Sequence, residues 1–203
     1  MSNTAIPESL SELQRFAGDK RNRPLIYPFG DGLDAERLIT NPPNEKWANG
    51  IAQMWWGSRD SIASYAAPHV GAPKQEEVAA FIKLHDRLLS IGGHSVCFPG
   101  IEEDMANILK YGQLWYGDHP VMKKGRPSRC HQNSCDLWFT NKNVTRIATG
   151  YALSADGMWR QHSWLIWLKP RVNRIIETTE PRVAYYGFVM NTRLCEEFDE
   201  NNL

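Results

Sequence analysis

The sequence lacks a net charge, a long apolar run and a cysteine framework. Its 23 Lys and Arg residues balance 23 Asp and Glu residues, whereas nucleic-acid-binding proteins usually carry a basic excess. No stretch approaches the roughly 18 apolar residues of a membrane span. The opening MSNTAIPESLSELQRF has no basic segment followed by an apolar run, as a secretory signal would have. Four cysteines in 203 residues do not form a disulfide framework. We therefore expect a cytoplasmic protein with reduced thiols, without a membrane or nucleic-acid partner.

The length and residue pattern predict a single α+β domain over residues 1–203. Residues 1–117 are predicted to be mostly helical or irregular. Their clearest helix is KQEEVAAFIKLHDRLLSIGG, which has an apolar stripe, acidic residues in its first turn and two glycines at its end. Residues 128–190 are predicted to form one helix and then an antiparallel meander. We expect the amino-terminal helical part to pack on this carboxyl-terminal sheet.

The meander is predicted from four strand-like segments that follow the helix HQNSCDLWFTNK. These segments are RIATGYAL, WRQHSWLIWLK, RIIETT and VAYYGFVM, and the final CEEFDENNL is predicted to be a frayed tail. Cys130 comes at the start of the helix, His162 lies in the second strand and Glu177 in the third. If the second hairpin turns about Lys169-Pro170, His162 faces Glu177 at a Cβ separation of about 4.5 to 5.5 Å.

Tyr151 is the third member of the predicted row of side chains. A two-residue turn at Asp156-Gly157, which is a strong hairpin signal, places Tyr151 opposite His162. Tyr151, His162 and Glu177 then lie on one face of the sheet. A register slip of one residue would separate them, because successive side chains of a strand point to opposite faces.

This combination of residues suits thiol catalysis. The thiolate is the attacking species, and the amino terminus of a helix, with about half a positive charge, favours it. His162 would take the thiol proton and return it to the leaving amine, while Glu177 would orient the imidazole. The backbone amide of Cys130 could hold the oxyanion. Gln113 and Trp115 are candidates for a side-chain donor to the same oxyanion, and Tyr151 is a candidate pocket residue.

At these residues the sequence resembles the papain-like and transglutaminase-like cysteine hydrolase superfamily. The resemblance covers roughly Arg129 to Thr179, where HSWLIW followed by RIIETTEPR is similar to the histidine strand and the acid strand of the family. It implies a Cys-His-acid triad and a nucleophile helix that precedes an antiparallel sheet. Two features depart from the family. Glu177-Thr178-Thr179 replaces the usual Asp-Pro-Thr, and the Gly- and Trp-containing context of the papain cysteine is absent.

Less specific interpretations of these residues stay open. Cys130 could be an inert buried thiol, because free cysteine is among the most buried residue types. His162 could be a hydrogen-bonded histidine of the sheet, and His131 is an alternative base. Arg160 and Arg182 could be surface residues or could bind a substrate carboxylate or phosphate. A four-ligand zinc site is also possible, with the ligands His94, Cys97, Cys130 and Cys135.

The function predicted from the sequence is amide hydrolysis, as in a deamidase or peptidase, through an acyl-enzyme on Cys130. The substrate would contain an amide and could be a protein, a peptide or a small molecule, and no cofactor is required. Transfer of the acyl group to an amine is the alternative reaction. The alternative from another class is a non-enzymatic binding or inhibitory protein, with or without a stabilising zinc ion, that has a tryptophan-rich surface near Trp55-Trp56.

Overall fold

The described part of the chain is built from four helices and seven strands in a mixed order. The structure, a computed structural model, describes residues 75–97, 104–117, 120–168 and 175–202. The predicted helical segments before residue 75, and Trp55-Trp56, lie outside these residues. The helices are α1 (Gln75–Ile91), α2 (Met105–Tyr111), α3 (Cys130–Thr140) and α4 (Thr192–Asn202). The strands are β1 (Ser95–Cys97), β2 (Gln113–Tyr116), β3 (Val121–Met122), β4 (Thr145–Leu153), β5 (Met158–Trp167), β6 (Ile175–Glu177) and β7 (Ala184–Val189).

The strongest helix predicted from the sequence is α1, and the structure confirms it. Its buried side chains recur every three or four residues, so they form one stripe along the helix; they are Val78, Phe81, Leu84, Leu88 and Ile91. The helix ends at Gly92 and Gly93, both of which have positive φ angles that side-chain-bearing residues rarely adopt. Residues 1–117 are predicted to be mostly helical or irregular, and the described part of this range also contributes two short strands, β1 and β2, to the sheet.

All seven strands belong to one mostly antiparallel sheet. The main order is β2-β7-β4-β5-β6-β3, and β1 pairs with β5 outside this path. Among the described strands, only the β1–β5 and β3–β6 pairs are parallel. The predicted meander holds for β4, β5 and β6, but β7 pairs with the other edge of β4. All nine residues of β4 are buried, and a central strand satisfies its backbone by pairing at both edges.

The predicted frayed tail is wrong, because the chain ends in the regular helix α4. The side-chain Oδ1 of Asn191 accepts the backbone N–H of Leu194 at 2.9 Å, which caps the first turn. Cys195 is fully buried between the helix and the sheet. An acidic sequence therefore forms an amphipathic helix whose polar residues lie on the outer side. In the described ranges, no helix is long and apolar enough to cross a membrane.

The two faces of the sheet have different neighbours. One face carries Tyr151, Trp159 and Leu165 and forms a single apolar cluster with side chains of all four helices. The opposite face carries a smaller cluster that includes Trp164 and Tyr185. The alternation of side chains along β5 puts His162 on this second face, two residues from Trp164.

Candidate active site

Cys130 is the first residue of α3 and its side chain is half-buried. The preceding residue, Arg129, gives the first turn no side-chain cap, so the amides at the start of the helix are not satisfied from within the helix. The backbone N–H groups of His131 and of Ser163 in β5 both lower the pKa of the Cys130 thiol. The helix start is therefore arranged to stabilise a negative charge on sulfur.

A gap along the edge of β5 accommodates the start of α3. At this edge β1 pairs with Met158 to Arg160 and β6 pairs with Leu165 and Ile166. Neither of these described strands pairs with the residues between them. The backbone N–H of Ser163 lies in this interval, and it lowers the pKa of the Cys130 thiol. The gap thus brings a helix that packs on one face of the sheet next to His162, which lies on the other face.

His162 contacts both Cys130 and Glu177, as the sequence predicted. Its Nε2–H donates to Glu177 Oε2 at 2.9 Å, so Nδ1 is the ring nitrogen available for the hydrogen bond with the Cys130 side chain. His162 is only 2% exposed and Glu177 is 0% exposed. Three side chains from α3, β5 and β6 are therefore brought together, with a hydrogen bond between His162 and the buried carboxylate and a half-buried sulfur that interacts with the same imidazole.

Glu177 is held as a carboxylate by five hydrogen bonds. Its Oε2 accepts the His162 bond and a bond of 2.8 Å from the hydroxyl of Tyr185. Its Oε1 accepts three more donors, which are Thr178 N at 2.8 Å, Thr179 N at 2.7 Å and Thr179 Oγ1 at 2.9 Å. Burial alone raises the pKa of Glu177, but the bond and charge of His162 and these other donors outweigh it and lower the pKa to about 2.

The pKa values of Cys130 and His162 move in opposite directions. Burial raises the pKa of the Cys130 thiol, but the hydrogen bond and charge of His162, with the two backbone donors, leave that pKa below its ordinary value. Burial lowers the pKa of His162, but its bonds to Cys130 and Glu177 raise it to about 8. The two shifts favour the pair of a thiolate and an imidazolium, which is the reactive state of a thiol nucleophile.

Tyr151 does not join this group, and a tyrosine of another strand, Tyr185, contacts Glu177 instead. The first hairpin closes through a three-residue loop, residues 155–157, in which Gly157 has a φ of 82°. Gly150 therefore pairs with His162, and Tyr151 points to the helix-covered face. Tyr185, on β7, lies on the His162 face, with its ring centroid 6.1 Å from that of His162.

Gln113 and Trp115 lie on the face of His162 but not beside Cys130. In the ladder, Gln113 pairs with Gly187, Gly187 with Gly150, and Gly150 with His162. Three strand spacings separate Gln113 from His162, about 14 Å, which is beyond the reach of a glutamine side chain. Trp115 packs edge-on against Trp164, with the ring centroids 5.6 Å apart. The structure therefore does not bring either side chain to the expected oxyanion position.

His131, the alternative base, is oriented by β5 rather than by the sulfur. Ser163 Oγ donates to Thr149 Oγ1 at 3.0 Å, so its lone pair accepts the Nδ1–H of His131 at 2.7 Å. Burial and the neighbouring charge of His162 lower the pKa of His131 to about 4. A group with this pKa is a weak base at neutral pH. His131 and Ser163 instead attach the start of α3 to β5, a role that the sequence did not reveal.

The alternative zinc site is not assembled. In the part of the chain that the structure describes, no three His, Cys, Asp or Glu side chains are placed to hold a metal ion. Cys135 is fully buried on the inner side of α3, and its sulfur donates to Phe198 O at 3.9 Å. Cys97 lies in β1, level with Arg160 of β5. These two thiols and Cys130 therefore face three different surroundings.

Comparison with known proteins adds no family to this geometry. No family model matches the chain, and no similar curated protein or solved structure is found. Any functional conclusion therefore depends on the arrangement of Cys130, His162 and Glu177.

Proposed function

We propose that the protein is a thiol-dependent amide hydrolase with a papain- or transglutaminase-like arrangement of its catalytic groups. Cys130 is the nucleophile, His162 the general base and acid, and Glu177 the group that orients His162. The observation that supports this most directly is the 2.9 Å hydrogen bond between the buried side chains of His162 and Glu177, with Cys130 close enough to His162 for each group to shift the pKa of the other. The order of the three residues along the chain, first on a helix and then on two successive strands, agrees with the resemblance stated above.

In the proposed reaction the Cys130 thiolate attacks the carbonyl carbon of the amide. The carbonyl oxygen becomes an oxyanion, and the backbone N–H of Cys130 at the start of α3 is the candidate donor to it. His162 gives its Nδ1 proton to the nitrogen of the leaving amine, and the C–N bond breaks. The products of this half-reaction are a free amine and a thioester on Cys130.

Water completes the cycle in the second half-reaction. Neutral His162 removes a proton from a water molecule, and the resulting hydroxide attacks the thioester carbonyl. The carbon–sulfur bond breaks, the carboxylic acid leaves, and the imidazolium–thiolate pair is restored. Glu177 stays ionised throughout, because its pKa of about 2 is far below neutral pH.

Selective alkylation of Cys130 tests the proposal. Iodoacetamide at pH 6 should alkylate Cys130 and leave Cys135 unmodified, because only the first thiol has a lowered pKa. Cys130→Ala should abolish labelling and the hydrolysis of a peptide-amide library, whereas the matched variant Cys135→Ala should keep both. Circular dichroism spectra of the two variants check that each one is folded. Equal labelling of wild type and folded Cys130→Ala would refute the assignment.

A further inference from the structure

The segment that leads into Cys130 is strongly basic. Residues 123–129, KKGRPSR, form what is called here the basic segment, and its four cationic side chains are exposed: Lys123, Lys124, Arg126 and Arg129. Residues 120–135 contain no Asp or Glu, although the whole chain has no net charge. The basic segment is therefore a local concentration of positive charge directly before the nucleophile.

The cations of the basic segment have no acidic partner among the described residues. Other arginines in the same part of the chain do have one. Arg160 binds Asp156 at 2.6 Å, Arg182 binds Glu180 at 2.8 Å, and Arg193 lies 3.6 Å from Glu197. Charges that are not neutralised within the protein create a field that attracts oppositely charged molecules. The positive field at the basic segment is thus available to a partner.

The backbone of the basic segment is fixed relative to the catalytic residues. Lys123 N donates to Glu177 O at 2.8 Å, and Gly125 N donates to Thr178 O at 2.7 Å. The buried side chain of Asn133 makes two hydrogen bonds with the backbone of Arg126. Its Oδ1 accepts the Arg126 N–H at 3.0 Å, and its Nδ2 donates to the Arg126 carbonyl at 2.8 Å. The segment is therefore attached both to the strand of Glu177 and to the helix of Cys130. A surface held in place in this way loses little freedom when it binds a partner.

We infer that the amide substrate is an acidic polypeptide, in which Asp or Glu residues near the reacting amide bind the basic segment. This inference rests on the proposed hydrolase function. A nucleic acid would also be attracted to the cations, but its phosphodiester backbone offers no amide to the Cys130 thiolate. The anion and the reacting amide must lie in one molecule if the segment is to direct that amide to the sulfur. A polypeptide with carboxylate side chains meets both requirements.

Matched electrophilic peptides test the inference. Three chloroacetyl peptides of equal length, flanked by Glu, Gln or Lys, would be compared by the rate constant for alkylation of Cys130, measured by intact mass. The Glu peptide should react about tenfold faster than the Gln peptide at low salt, and the Lys peptide should be slowest. The differences should largely vanish between about 0.01 and 1 M salt, where the Debye length falls from about 30 to about 3 Å.

Two double variants with the same change of net charge provide the control. Lys123→Gln with Lys124→Gln should lose most of the preference for the Glu peptide. Lys83→Gln with Lys110→Gln, which changes exposed lysines of α1 and α2, should keep it. Equal rates for the three peptides, with Cys130 still labelled rapidly, would overturn the inference alone. Absence of selective Cys130 labelling by any peptide would overturn the proposed function and the inference with it.

Nucleic acid is the competing partner in the same experiment. A single-stranded oligonucleotide could bind the wild type and lose that binding in the Lys123 and Lys124 double variant. If this occurred while the three peptides reacted at equal rates, the basic segment would be a nucleic-acid surface and the inference would be wrong.

Discussion

Two cysteines of α3, Cys130 at its start and Cys135 near its middle, have the same side chain with opposite properties. Cys130 is half-buried at the start of α3, and its pKa is lowered. Cys135 lies one and a half turns later against the core, and burial, with the nearby charge of Asp199, raises its pKa to about 12. Burial raises the pKa of both thiols, so it does not explain the difference. The partners do, because only Cys130 has an imidazole and two N–H donors.

The two remaining cysteines, Cys97 and Cys195, resemble Cys135 in having a raised pKa. Burial raises the pKa of Cys97 to about 11 and that of Cys195 to about 12. Each has an arginine in its vicinity that acts in the opposite direction, and in neither case does it overcome burial. A cation at a distance is therefore not sufficient to activate a buried thiol of this protein. The backbone N–H of Ile147 also lowers the pKa of Cys195 without overcoming burial. The imidazole of His162 therefore distinguishes the candidate nucleophile.

The largest expected effect comes from removing the imidazole that distinguishes Cys130 from Cys135. His162→Gln should lower amide hydrolysis about 1,000-fold, within the range for loss of a general acid and base. It should also raise the pKa of Cys130 toward that of a buried thiol, so that alkylation of Cys130 at pH 6 approaches the slow rate of Cys135. The measurement is the alkylation rate of each thiol, resolved by peptide mass spectrometry.

A second histidine variant controls for the loss of an imidazole. His94 lies at a turn, where its backbone N–H donates to the backbone carbonyl of Gly157 at 2.7 Å. His94→Gln should leave Cys130 alkylation at pH 6 unchanged. If His162→Gln also left that rate unchanged, the comparison between Cys130 and Cys135 would need a cause other than His162.

A smaller effect is expected from pH, and it separates the two roles of His162. Above a pH of about 8, His162 loses the proton that it donates to the leaving amine. Amide hydrolysis should therefore fall about tenfold for each further pH unit. Alkylation of Cys130 needs no proton donor and should not fall in the same range, because the thiolate remains. Both rates would be measured from pH 5 to 10, and a parallel decline would contradict the assignment of His162 as the acid.

The predicted register of the second hairpin is wrong by two residues, and that of the first hairpin is wrong by one. This difference explains why the contact of Glu177 with His162 was predictable and the position of Tyr151 was not. The ladder pairs Leu165 with Ile176, so Glu177 lies two positions from its predicted place opposite His162. A shift of two keeps a side chain on the same face, and the contact is retained. In the first hairpin the shift is one residue, and it sends Tyr151 to the opposite face. The motif Ala155-Asp156-Gly157 is compatible with a three-residue loop as well as with a two-residue turn.

The order of the helices and strands could be predicted from the sequence more readily than the contacts between strands that are distant along the chain. The pattern of residues indicated α1, α3 and the β4–β5 hairpin, because these depend on local periodicity and turn residues. The gap at the edge of β5, between β1 and β6, depends on which strands pair over long distances along the chain. The roles of Ser163 and Asn133 follow from that pairing. Neither residue carries a local signal that separates it from an ordinary surface polar residue.

The smallest effect is expected at Tyr185, and it tests whether the row of side chains on the His162 face is more than packing. Tyr185→Phe removes the 2.8 Å hydrogen bond to Glu177 Oε2. The carboxylate then loses one of the two contacts that orient this oxygen, and hydrolysis at pH 7 should fall roughly three- to tenfold. Without the Tyr185 hydroxyl, less of the negative charge on Glu177 is offset by a hydrogen-bond donor, so the carboxylate attracts the His162 imidazolium more strongly. The pKa of His162 should therefore rise, and the alkaline limit of activity should move to higher pH.

Tyr151→Phe is the matched control for this change, since it removes a hydroxyl from the helix-covered face of the same sheet. It should alter neither the rate at pH 7 nor the alkaline limit. A purely structural role of Tyr185 would lower the yield of active protein without moving the limit, so the pH profile separates the two roles. If Tyr185→Phe and Tyr151→Phe gave the same profile as the wild type, the hydroxyl of Tyr185 would not belong to the site, and Glu177 would be oriented by His162 and the threonine donors alone.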